Sequence, residues 1–126
     1  MYANLAIMSQ PFSPGDVLVY QIESGYGLVR VLGESVQGES RVWHVRAYGD
    51  LFMDVEMAEA AARTLESLKV EIAHEAMTER AFDSTQTSFI LNIQVSDEEN
   101  RLIQEWNAKP GILPTDRSIR LLMGLR

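Results

Sequence analysis

The apolar positions of this chain follow two rhythms. From residue 16 they recur every second residue or run together in "DVLVYQIES", "LVRVLGE" and "RVWHVRAY". These stretches are rich in β-branched and aromatic residues, which predicts three strands. Pro14-Gly15-Asp16 marks the turn into the first strand. Gly25-Tyr26-Gly27 marks a hairpin loop, and Gly38-Glu39-Ser40 supplies the next turn. The third strand is expected to run on through "LFM" after a break at Gly49-Asp50. Consecutive strands with such short connections predict an antiparallel meander, curled or partly closed like a small barrel.

The period then changes to that of a helix. In "DVEMAEAAARTLESL", Val55, Ala58, Ala62 and Leu65 fall on one stripe, with Asp54 as N-cap. "KVEIA" returns to period two and predicts a strand. "MTERAFDS" is ambiguous, and a single helical turn capped by Thr78 is the reading adopted. "SFILNIQV" predicts another strand. In "SDEENRLIQEWNAKPG", Ser96 and Glu99 have the spacing of a capping box, and three acids sit at the positive end of the helix dipole. Leu102, Ile103 and Trp106 form the inner face, so Trp106 is expected to be buried between this helix and the sheet. "TDRSIRLLMG" fits a short helix capped by Thr115, and a strand through "SIRLLM" fits nearly as well. The expected fold is α+β in a single domain over 1–126: an antiparallel sheet, barrel-like at its N-terminal meander, with two main helices on one face. Residues 1–11 are expected to be a loose lead-in, with an edge strand over 1–10 as the alternative.

Composition narrows the function classes. A chain of 126 residues suits one self-sufficient domain. It has no cysteine, which excludes disulfides, thiolate metal sites and a cysteine nucleophile, and fits a reducing cytoplasm. No stretch approaches the length of an apolar membrane span, and the opening residues lack the basic segment of a signal peptide. A cytoplasmic protein is therefore expected. The net charge is −7, and both halves are acidic: three Arg against six Asp and Glu over 1–54, eight Lys and Arg against twelve over 55–126. Nucleic-acid binding rests on cationic neutralisation of phosphate, so it is disfavoured, whereas a basic protein partner suits the charge.

The chemistry-bearing residues are few. Alternation along "VWHVRAY" puts His44, Arg46 and Tyr48 on one strand face, opposite Trp43, Val45 and Ala47. An imidazole, a guanidinium and a phenol in a row suit an anion or a partner carboxylate. Tyr26, between two glycines at the hairpin tip, is expected to stand exposed beside them. These four residues, Tyr26, His44, Arg46 and Tyr48, are the candidate binding site, with Tyr26 as a desolvated anchor. The opposing reading makes them the solvent face of a half-buried strand and an ordinary hairpin residue. His74 has Glu71, Glu75 and Glu79 nearby in sequence, yet metal sites usually need three or four convergent ligands and no HExxH spacing exists. No metal or cofactor is expected. No GxSxG or SxxK motif and no Gly-rich phosphate loop is present, so no catalytic residue is assigned.

The run "FSPGDVLVYQIESGYGLVRVLGE" resembles the opening of small SH3-like barrels and of bacterial immunity-like proteins. The residues that carry the likeness are Gly15, Asp16, Tyr26, Gly27, Arg30, Val31 and Leu32, within about a sixth of the chain. Likeness to the immunity-like group implies a cytoplasmic, non-enzymatic protein that binds a toxin. Likeness to the SH3-like group implies peptide or nucleic-acid binding. Three functions are therefore carried forward. The first is a non-enzymatic interaction protein, immunity-like, with a basic partner. The second is a nucleic-acid-associated barrel. The third is a small enzyme using a histidine.

Overall fold

The computed structural model describes residues 12–124, so the lead-in expected at 1–11 lies outside the described residues. Strand β1 (Asp16–Ile22) and strand β2 (Gly25–Gln37) form a hairpin, with Val17 opposite Arg30 and Tyr20 opposite Gly27; its turn is Glu23-Ser24, and the expected loop Gly25-Tyr26-Gly27 is instead the paired start of β2. Gly27 is required there: a Cβ would stand 2.5 Å from Tyr20 Cζ. Gly15, at φ +95°, makes the turn into β1, donating its N–H to Val31 O (2.7 Å) and accepting from Ile93 N (2.9 Å). Asp16 closes that turn, accepting from Ser13 N and Asn92 Nδ2, both at 2.8 Å.

Strand β3 (Ser40–Tyr48) pairs with β2, and β4 (Val70–Thr78) pairs with β3. Strand β5 (Thr87–Asn92) returns to pair with β1. The sheet is fully antiparallel, in the order β4-β3-β2-β1-β5, and open. The third strand ends at Tyr48. Of the expected extension through "LFM", Phe52 alone pairs, in an isolated bridge to Tyr26.

Helix α1 (Val55–Ala61) starts at Asp54, whose Oδ1 accepts from Met57 N (2.8 Å). It is shorter than its apolar stripe predicts. Residues Ala62–Ser67 form a 3₁₀ segment in which Thr64 leaves helical backbone angles. Ser67 Oγ takes the Thr64 carbonyl (2.7 Å), and Leu68 N turns to Leu65 O instead (2.9 Å). Helix α2 (Glu79–Asp83) is the single turn capped by Thr78. Helix α3 (Asp97–Ala108) has the full capping box between Ser96 and Glu99. Helix α4 (Ile119–Leu122) settles the C-terminal ambiguity in favour of a helix, capped by Ser118 rather than Thr115. Thr115 is used elsewhere: its backbone bridges to the outer edge of β4, with Thr78 N to Thr115 O at 2.9 Å and Thr115 N to Ala76 O at 2.8 Å.

The two main helices, α1 and α3, share one face of the sheet, as expected, but the opposite face is covered too. There Leu18, Val29, Val31, Trp43, Val45 and Met77 pack under Phe82 of α2 and Ile119 of α4. The Trp43 and Phe82 rings stack at 5.0 Å. The helix-bearing face is apolar under α1, where Val17, Val19 and Leu28 meet Ala58, Ala62 and Leu65. Under α3 it is polar.

Candidate functional site

The polar region begins with a pairing that strand physics disfavours. Arg30 of β2 stands directly opposite Arg46 of β3, and like charges so placed repel. Glu99 of α3 resolves the conflict. Its Oε2 accepts from Arg30 Nη1 (2.6 Å) and from Arg46 Nη1 (2.7 Å), while its Oε1 accepts from Ser96 N (3.0 Å). One carboxylate thus caps its own helix and holds two guanidinium groups. Burial raises the Glu99 carboxyl, but the Ser96 hydrogen bond and the two arginines outweigh it and hold the group below its ordinary range. Arg30 is 4% exposed and also donates Nη2 to the carbonyls of Ile93 (2.7 Å) and Gln94 (3.0 Å). Its buried Nε has no partner among the described residues. Arg46 gives its Nε to Ala73 O (2.9 Å).

A file of polar rings continues along the same face. His44 is wholly buried. Its Nε2 lies 2.8 Å from Ser35 Oγ and its Nδ1 2.8 Å from His74 Nε2. The two imidazoles are nearly parallel, and the Trp106 ring meets His44 edge-on at 5.2 Å. Trp106 is half-buried rather than enclosed, because it closes over a polar floor. Burial, aided by the neighbouring imidazole, pushes His44 down to about 4. Burial, with the charges of Arg46 and Lys109, also lowers His74.

Between the 3₁₀ segment and the first turn of α3, the face opens as a cleft of about 590 Å3. Arg30, Arg46 and Tyr48 line it, with Leu65, Leu68 and Leu102 as apolar walls. Burial raises the Tyr48 phenol, opposed by the charges of Arg30 and Arg46 and by a hydrogen bond from Arg30, while Glu99 adds to the rise.

Of the four residues singled out from the sequence, the structure gathers His44, Arg46 and Tyr48 on one face. Their expected exposure is not found. His44 and Tyr48 are buried and Arg46 is half-buried, because α1 and α3 cover the side that alternation assigns to solvent. Tyr26 stands apart. It is half-buried and held by Phe52, with reciprocal N–H to O bonds of 2.8 Å, and it lines a different cleft with Glu23 and Val55. The residues that sequence reasoning missed are Arg30, Ser35 and Glu99. Arg30 carried a signal: an arginine between Leu28 and Leu32 on one face of an apolar strand needs a buried counter-charge. Among the described residues, no group of three His, Asp or Glu is placed to hold a metal ion. No helix among them is long and apolar enough to cross a membrane.

Comparison with protein-family models, with curated proteins and with solved structures finds no match to the chain.

Proposed function

We propose that the chain is a non-enzymatic interaction protein of the cytoplasm, immunity-like in role, that binds a basic protein partner. The observation that carries this reading is the outer surface formed by residues 49–68. That segment has five acids and one arginine. It also exposes Leu51, Met53 and Met57, with Met53 83% exposed. Methionine side chains adapt to irregular partners, and acids around them favour encounter with a positively charged surface. Tyr26 adjoins this surface through its bridge to Phe52, which keeps the start of β2 within the proposed contact.

The test is affinity capture from the source cells with the parent chain and with the triple variant Met53→Ser, Glu56→Lys, Glu59→Lys. The expected result is a basic protein held by the parent, released by salt and lost from the variant. Equal capture by both chains overturns the reading. Salt-sensitive retention of the parent chain on DNA instead supports the nucleic-acid-associated barrel.

The third reading, a small enzyme using a histidine, draws support from one observation. Ser35, His44 and His74 stand in the order nucleophile, base, orienter. Against it, His44 is enclosed, and the clefts described above are lined by other residues. Labelling of Ser35 by a fluorophosphonate probe, abolished in His44→Gln, is the outcome that would promote it.

A further inference from the structure

The arginine cleft has the parts of a ligand site, and it adjoins the outer acidic surface, with which it shares Glu66. Its floor carries two guanidinium groups and a single buried carboxylate, so one positive charge is left uncompensated. Donors are left over as well. The buried Arg30 Nε has no partner among the described residues, and an unmet buried donor is costly unless an acceptor arrives. Arg46 has committed Nε and Nη1, and its Nη2 makes no hydrogen bond among the described residues. The Tyr48 phenol lies beside the same charges. The walls are the leucines at 65, 68 and 102, and the rim carries the exposed carboxylates of Glu66 and Glu98. Positive floor, apolar middle and negative rim together describe the complement of one chemical pattern.

We infer that this cleft binds a carboxylate attached to an apolar group and accompanied by a cationic group. The carboxylate sits on Arg46 and Tyr48, beside the Arg30 guanidinium. The apolar group lies on the leucine walls, and the cation faces Glu66 and Glu98. Both a free apolar α-amino acid and the C-terminus of a basic peptide carry that pattern. A guanidinium prefers such a carboxylate because its fork of donors matches the two oxygens. Glu99 bonds both arginines through one oxygen, which leaves Arg46 Nη2 and one net positive charge for the ligand.

The experiment titrates the full chain, followed by amide chemical shifts, with three probes: N-acetyl-Lys-Lys-Leu as the free acid, the same peptide amidated at its C-terminus, and free leucine. The free acid is expected to shift resonances around Arg46, Leu65 and Leu102, and to bind about tenfold more tightly than the amide, the usual order for one charge-assisted bond. Binding of leucine at those residues assigns the site to small amino acids, and binding of the peptide acid alone assigns it to chain ends. Arg46→Gln should lower affinity for the acid about tenfold and leave the amide unchanged. Should that variant fail to fold, Tyr48→Phe keeps the ring and should weaken the acid selectively. Equal affinity for acid and amide, or no shifts with either the free acid or leucine at millimolar concentration, overturns the inference.

Discussion

The two faces of the sheet are built on different physics. The face under α2 and α4 is held by area: Leu18, Val31, Trp43, Met77, Phe82 and Ile119 exclude water and make no directional demand on one another. The face under α3 is held by pairing. Arg30 and Arg46 tolerate each other because Glu99 is present, and His44 is satisfied through Ser35 and His74. An apolar core loses stability in proportion to the atoms removed. A paired one loses it in steps, because each missing partner strands another group in a poorly solvated place. The first face should therefore respond to volume and the second to charge and pH.

The largest expected loss comes from the apolar face. Phe82→Ala removes a wholly buried ring stacked on Trp43 and should cost about 4 kcal/mol in chemical denaturation. A loss below about 1 kcal/mol would mean that this face repacks freely, and the contrast would fail. Next comes Glu99→Ala, which leaves two arginines without their carboxylate and should cost about 3 kcal/mol. Adding Arg30→Met to it should restore part of the loss. Further loss in the double variant would show that the pairing matters less than the packing of Arg30.

Between pH 7 and pH 4.5, acid should act chiefly on the paired face. The folded pKa of His44, about 4, lies below its unfolded value of 6.5. Between those values the unfolded chain binds more protons than the folded one. Stability therefore falls as pH drops from 6.5 towards 4, and the contribution is fully present above 6.5. The groups facing His44 are Ser35 from β2, His74 from β4 and Trp106 from α3, and Arg46 and Lys109 act on His74. The expected loss is about 2 kcal/mol between pH 7 and pH 4.5. Denaturation curves over that range should lose most of this slope in His44→Gln, and an unchanged slope would place the titrating group elsewhere. The smallest effect is Ser96→Ala, about 1 kcal/mol for the lost cap. Because Ser96 also positions Glu99, its cost and that of Glu99→Ala should fall short of additive in a double-mutant cycle.

The sequence was most legible where structure is set locally. Asp54, Thr78 and Ser96 cap their helices as their spacing predicts, because a cap is decided within four residues. The β1–β2 pairing was legible as well, but its turn falls at Glu23-Ser24, and the glycines expected to form the loop lie inside β2. The candidate site was legible in part. "VWHVRAY" does put His44, Arg46 and Tyr48 on one face, but alternation cannot tell a solvated face from one roofed by a distant helix. That roof depends on Glu99, which lies 69 residues from Arg30, and on α3, whose inner face looks sparse until its polar partners are known. Thr115 misled as a cap because a threonine before a helix and a threonine bridging a strand edge look alike in one dimension.

That bridge carries a consequence for how the chain survives in a crowded solution. A terminal strand offers unpaired amides and carbonyls to any other strand, which is how sheets fuse into aggregates. Where Thr115 lies against Ala76 and Thr78, those groups of β4 are already taken. The C-terminal segment that ends in α4 is therefore a guard as well as a lid. A protease cut in the turn around Pro110 and Gly111 would release Ile119 from the core and unmask the β4 rim at once, so damage there should lead to clumping rather than simple melting.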